Sequence, residues 1–369
     1  MKQKIIILGS VSFVLDSARV GINWIAKFLA QEGYDVTYVS SASTPLDILF
    51  SRKRARFKAA WLHGGKFKVA TNLTEIIFKS PWLLNRLRSV FGHKSAGIFQ
   101  RDLLSQKYTV LIATVGALSI FADKIHAPLK ILRLQDDLLD FGMSKYVINN
   151  LKLLLAKQTF HQIWPVSQYL WNYANQFQPD KNILLSNGVH LPQFINYYNK
   201  PKTKKVIYVG AFNSWVDSEL IIKSALLLPD WHFDLFGSDF NLEQELPKNV
   251  TYEGAIDSLM LPELLSHYCV GLIPFINCTH ILAVERPLKF YQYLSVGLGV
   301  ASTDYGGLRG GMGQLASYGN SPQEFAAAIV NAFEQSQNRS KEEIQQYLEN
   351  FNWNSILPQM LYHIKTGIT

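Results

Sequence analysis

The chain reads as an α/β protein made of two doubly wound domains, each a parallel sheet with helices on both faces. Three observations predict it. Short, nearly continuous apolar runs of the kind found in buried parallel strands alternate with segments of helical spacing. The alternation restarts after the polar stretch 197–205, whose PKTKK reads as a linker. The length of 369 residues suffices for two cores of ordinary size. The expected division is 1–200 for a first domain, 201–345 for a second, and 346–369 for a terminal helix packing back on the first.

Composition narrows the class. Hydrophobic residues make up 48% and charged residues 17%, which excludes a disordered chain. The net charge of +8 suits nucleic acid, an anionic membrane surface or a phosphorylated substrate, without choosing among them. Cys269 and Cys278 are too few for a disulfide framework or a cysteine metal site, which fits a reducing compartment. The opening MKQKIIILGSVSFVL has the basic lead and apolar run of a signal peptide. Asp16 and Arg19 follow at once without a clear cleavage pattern, so it reads as a first strand. No uninterrupted apolar stretch reaches the ~18 residues that cross a bilayer.

Taken in order, strand 4–9, helix 19–31 and strand 35–40 form a βαβ opening, the helix carrying Ile22, Ile25, Ala26 and Leu29 on one face. The loop 10–17 lacks the glycines of a dinucleotide fingerprint, so no nicotinamide or flavin cofactor is expected. Segment 51–94 begins with a dense basic run, Arg52, Lys53, Arg54, Arg56 and Lys58. Large apolar residues are threaded through it, among them Phe57, Trp61, Phe67, Phe78 and Trp82. It fits either a surface that lies on anionic headgroups or a solvated basic face over a normal core. No named nucleic-acid motif occurs, so nucleic acid is not an expected partner.

Strands are expected at 108–114, 129–135, 161–166 and 182–185. The second of these runs into Asp136-Asp137-Leu138-Leu139-Asp140. Acidic residues at the carboxyl end of a parallel strand face the crevice where open α/β sheets bind ligands, so Asp136 or Asp137 is a candidate general base. Asp is also a favoured helix N-cap, and one of the two can cap while the other works. In the second half, strands are expected at 206–210, 231–237, 250–254, 270–275 and 300–303, with a helix at 218–228. The cluster 306–313, GGLRGGMG, lacks the Gly-Lys-Ser/Thr ending of a P-loop and reads as a loop beside a ligand. Residues 341–364 read as largely helical.

The stretch 284–300, VERPLKFYQYLSVGLGV, carries the chemistry. Leu288, Tyr291 and Leu294 recur on one helix face, and Gly297-Leu298-Gly299 stops the helix. With Pro287 as first helical residue, Lys289 stands among the free amide donors of the helix start, a site for phosphate. Gln292 lies three residues on, on the same face, where its amide suits a sugar hydroxyl. An ordinary amphipathic helix with a surface lysine and glutamine is the alternative. No metal-binding constellation is evident.

Two doubly wound halves, a glycine-ended strand opening the second, and PLKFYQYLSVGLGV near its end together resemble the GT-B glycosyltransferases. That resemblance covers nearly the whole chain and implies two Rossmann-like domains facing a cleft, with a nucleotide sugar between them. The usual motif has glutamate where this chain has Gln292, which makes it similar to the membrane-associated glucuronosyltransferases of that fold. The resemblance implies that Lys289 contacts the diphosphate and Gln292 the ribose. It implies Phe212, Ala255 and Ile256 around uracil, with Phe275 and Leu288 nearby. It places a catalytic base at Asp137, with Asp136 one register away, and the acceptor near Asp16 and Arg19.

Two departures bear on the donor. A Gly-Val-Asp turn reads Gly188-Val189-His190 here, and Ala255 replaces a glutamate. The implied activity is metal-independent transfer from a UDP-sugar to a hydroxyl of a lipid-linked saccharide, on the cytoplasmic face of the plasma membrane. A retaining transferase of the same fold, a nucleotide-sugar epimerase, and a non-catalytic sugar- or lipid-binding module remain as alternatives.

Overall fold

A computed structural model describes residues 2–16, 20–50, 53–79, 103, 105–135, 145–240 and 245–368. The chain forms two compact units, Met1–Ser186 with Leu357–Thr369, and Asn187–Ile356. Each is built on one sheet.

The first sheet contains β1 (Lys4–Leu8), β2 (Asp35–Ser43), β3 (Lys66–Ala70), β4 (Leu73–Lys79), β5 (Val110–Thr114), β6 (Leu129–Leu134) and β7 (Gln162–Pro165). Their order is β3-β4-β2-β1-β5-β6-β7. All neighbours are parallel except the β3–β4 hairpin. The apolar runs KIIIL and VLIAT are buried almost throughout because helices cover both faces of such a sheet. Helix Gly21–Gln31 turns Ile22, Ile25, Ala26 and Leu29 inward, and Gly33 leaves it at φ +93.

Two sequence expectations change here. Residues 66–79 form a hairpin in which Lys66 and Lys68 face outward on the edge strand, a placement that discourages pairing with another sheet. The tail 182–185 makes a single bridge, Ile163 with Asn182, in place of a strand. Ile183 N–H and Leu185 N–H still bond Ile163 O and Pro165 O of β7 at 2.9 and 3.0 Å, and fully buried Arg133 of β6 donates to the carbonyls of Leu185 and Ser186.

The second sheet contains β8 (Lys205–Val209), β9 (His232–Phe236), β10 (Val250–Gly254), β11 (Val270–Ile273), β12 (Gly299–Ser302) and β13 (Ser317–Tyr318), in the order β10-β9-β8-β11-β12-β13. All its pairings are parallel. Strand order reverses between β8 and β11 here, and between β1 and β5 in the first unit, which opens a crevice at the carboxyl ends of those strands.

The stretch 197–205 belongs to the second unit, where the Asn199 amide donates to Val296 O at 3.0 Å. The glycine cluster is not an open loop. It contains helix Leu308–Met312, and a Cβ at Gly311 would lie 2.2 Å from Glu285 O, so the missing side chain lets this helix pack on the backbone at Glu285. Helices Pro322–Asn338 and Lys341–Glu349 both start with capping boxes, Ser321 with Glu324 and Ser340 with Glu343. Helix Trp353–Ile368 ends against the first sheet, where Gln162 Nε2 donates to His363 O at 3.0 Å.

Candidate active site

The second unit gathers its candidate residues where the strand order reverses. Helix Leu288–Ser295 is anchored by buried Phe290, Tyr291, Tyr293 and Leu294. Gly297 at φ +91 and the Leu298 amide, bonded to Tyr293 O at 3.0 Å, close its far end. Pro287 is the N-cap, with extended ψ of 148, and not the first helical residue as the sequence suggested. A proline N-cap supplies a carbonyl and no side-chain acceptor, so Phe290 N–H bonds Pro287 O at 2.9 Å. The amides of Leu288 and Lys289 precede that first bond, which leaves them at the positive end of the helix dipole.

Lys289 points its ammonium at the end of β8. Nζ lies 4.2 Å from the Tyr208 ring centroid and 5.4 Å from that of Phe275. Among the described residues no carboxylate pairs with it. Two aromatic faces hold a cation without neutralising it. Burial pushes the Lys289 pKa down to about 7. A Cβ at Gly210 would come 2.8 Å from Nζ, and Gly210 sits at φ +149, so glycine there makes the room the ammonium occupies. Gln292 follows on the same helix, partly buried.

The loops after β8, β9 and β10 are stitched together. Gly210 N–H donates to Phe236 O at 2.9 Å, Phe212 N–H to Ser238 O at 2.9 Å, and Gly237 N–H to Gly254 O at 2.8 Å. On this base Phe212 meets Tyr208 at 4.7 Å and Phe240 at 4.6 Å between centroids, and Phe240 stacks on Tyr252 at 4.7 Å. Ala255 and Ile256 follow directly after Gly254, the first exposed and the second partly buried. Leu288 is exposed, whereas Phe275 is buried and forms part of the bed under the lysine. Thr303 fixes Phe275 by accepting from its N–H at 3.1 Å and donating to its carbonyl at 2.8 Å. The sequence reading named Phe212 and Phe275 but missed Tyr208, Phe240, Tyr252 and Thr303.

In the first unit, the loop after β1 carries Asp16. Its Oδ2 accepts from Ser12 N–H at 2.6 Å, and Oδ1 lies 3.9 Å from the Arg56 guanidinium. Tyr38 hydroxyl donates to Val11 O at 2.8 Å, and buried Glu75 accepts from Val14 N–H at 3.1 Å, so the loop is pinned over the sheet. Arg19, Asp136 and Asp137 lie outside the described residues. Among the described residues no three His, Cys, Asp or Glu side chains gather as metal ligands. No described helix is long and apolar enough to cross a membrane.

The fold has relatives among solved structures. Sucrose-phosphate synthase from Thermosynechococcus elongatus matches with a TM-score of 0.73 at 15% identity, over 100% of both chains. HepE of Anabaena, solved in complex with UDP and glucose, matches with 0.65 at 14% identity, over 98% of this chain and 99% of its own. The lipopolysaccharide outer core galactosyltransferase WaaB matches with 0.65 at 12% identity, over 99% of both. No family model and no curated protein sequence matches the chain. The architecture shared with these structures is the GT-B glycosyltransferase fold, two Rossmann-like domains with parallel sheets.

Proposed function

We propose that this chain is a glycosyltransferase that moves a sugar from a UDP-sugar to a hydroxyl of a lipid-linked saccharide, with inversion and without a metal. The observation that carries the reading is the ammonium of Lys289. It is seated on two rings at the strand-order reversal, with no described carboxylate to neutralise it. The residue stands in the first turn of its helix, where the Leu288 and Lys289 amides precede the first helical bond. That arrangement suits the two phosphates of a nucleotide sugar. The Anabaena HepE structure with UDP and glucose has the same fold, which supports the donor class.

In this reading Phe212, Ala255 and Ile256 border uracil, with Leu288 and Phe275 close by, and Gln292 bonds the ribose. Asp137, or Asp136 beside it, takes the proton of the acceptor hydroxyl as its oxygen attacks the anomeric carbon. The bond to the β-phosphate oxygen breaks on the opposite side, which inverts the centre. Lys289 and the helix start stabilise the charge arriving on the leaving UDP. Asp16 and Arg19 lie on the acceptor side, in the first unit. Gln292 in place of the usual glutamate supports glucuronate as the sugar, by likeness to the glucuronosyltransferase GumK. A lipid-linked acceptor puts the enzyme on an anionic membrane surface, on the cytoplasmic side.

Titration with UDP, a turnover screen over UDP-sugars, and the anomeric configuration of the product test the proposal together. Asp137→Ala should abolish transfer and leave UDP binding nearly intact. Unchanged turnover in that variant would remove the mechanism. UDP binding without turnover of any donor would make the chain a binding module, and a retained configuration would make it a retaining transferase.

A further inference from the structure

The segment rich in cations and rings between β2 and β3 separates into an inner and an outer side. Trp61 and Phe67 pack on a small core of Ala59, Ala60 and Ile77, so these rings serve the fold. The outward side belongs to the turn just before them. In the short helix Pro45–Leu49 and the residue after it, Leu46, Ile48, Leu49 and Phe50 are all exposed, Leu49 at 72% and Phe50 at 53%. Leu62 is exposed at 65%. A run of large apolar side chains held out to water needs a partner.

The turn is held by a cap at its start. Asp47 is buried and closes a capping box with Thr44, its Oδ2 accepting from Thr44 N–H at 3.0 Å. Its inward carboxylate is the only acidic side chain between residues 44 and 70. Cations flank the apolar tip. Lys53 Nζ lies 5.6 Å over the Phe50 ring, and Arg54 Nε donates to Ile48 O at 3.4 Å. Lys58, Lys66 and Lys68 are exposed on the elements that follow.

We propose that this turn, Leu46 to Phe50 with Lys53, Arg54 and Lys58 around it, is the element that inserts into an anionic lipid surface. The apolar tip enters the acyl boundary and the cations stay on the headgroup phosphates. This rests on the lipid-linked acceptor and deepens it by assigning the docking element. Charge complementarity chooses lipid over a second copy of this chain, because two such tips brought together would bring like charges together. Neither signal suffices alone, since a few exposed side chains or a few cations each give only marginal binding.

The test is co-sedimentation of the full chain with vesicles of phosphatidylcholine alone or mixed with phosphatidylglycerol. Calorimetric titration with UDP runs beside it. Binding is expected to the mixed vesicles only, and to weaken in high salt. The double variant Leu49→Ser with Phe50→Ser should bind them about tenfold more weakly or worse. Its melting temperature and UDP affinity should stay those of the parent, because both side chains are exposed. Phe50→Trp should show an emission blue shift on mixed vesicles. Equal vesicle binding by the double variant overturns the assignment, as does a concentration-dependent dimer that the double variant loses. Loss of UDP binding in the parent would instead count against the proposed reaction, because no lipid enters that titration.

Discussion

If the diphosphate of the proposed donor sits on Lys289, its binding is a proton-linked event. The Lys289 pKa is held at about 7 by burial, and a diphosphate placed on the ammonium returns the pKa toward the usual lysine range. Binding above neutrality therefore takes up a proton. The last phosphate ionisation of the nucleotide, with a pKa of about 6, is complete by then and contributes no slope. With a pKa of about 7 the lysine is about one-quarter charged near pH 7.5 and about one-hundredth charged near pH 9. UDP affinity should fall on the order of tenfold over that interval, or roughly 1 to 2 kcal/mol. Titration calorimetry in buffers of differing ionisation enthalpy measures both the affinity and the protons taken up, which should approach one per UDP near pH 8. Lys289→Arg keeps its charge throughout, so its curve should be flat, while Lys289→Ala should bind weakly at every pH. A flat curve for the parent, or no proton uptake, would refute the claim that a buried, unneutralised ammonium receives the phosphates.

Other expectations follow from close contacts. At Gly237 a Cβ would meet Gly210 O at 1.9 Å, so Gly237→Ala should cost about 3 kcal/mol and weaken UDP binding by moving Gly210 from beside Lys289. A thermal melt and a UDP titration of one preparation check both effects. Arg133→Met removes the donors to the Leu185 and Ser186 carbonyls, at a cost of about 3 kcal/mol seen as a lower urea midpoint. An unchanged midpoint would mean that the guanidinium does not hold that segment. Tyr38→Phe deletes one bond to the loop that carries Asp16 and should cost about 1 kcal/mol, read from the same unfolding curve.

What the sequence disclosed was what local pattern encodes. Strand runs such as KIIIL and VLIAT need only their own composition to be read, and the helix of Lys289 announces itself through a proline, a 3.6-residue period and a glycine stop. Some of what the sequence withheld depends on partners far along the chain, and some on composition that misleads locally. Phe240 and Tyr252 join Phe212 only because three parallel strands end side by side. Arg133 looks in LKILRL like a residue facing water, yet its carbonyl partners lie 52 and 53 positions away. The β3–β4 hairpin hid behind its lysines, since alternation of Lys with apolar residues on an edge strand resembles a charge run. In the glycine cluster, composition suggested an open loop, whereas absent side chains there serve close helix packing.

The three bonds that tie the loops after β8, β9 and β10 turn that corner of the second unit into one plate. Phe212 and Gly210 are two residues apart on it, one beside the ring cluster and the other beside the ammonium. Any ligand that tilted Phe212 would drag Gly210 with it and unseat Lys289. In the proposed reading, discrimination at the base and readiness at the phosphates would thus be mechanically geared. A designer who wants to change what this corner of the scaffold accepts will have to recut the plate as a whole.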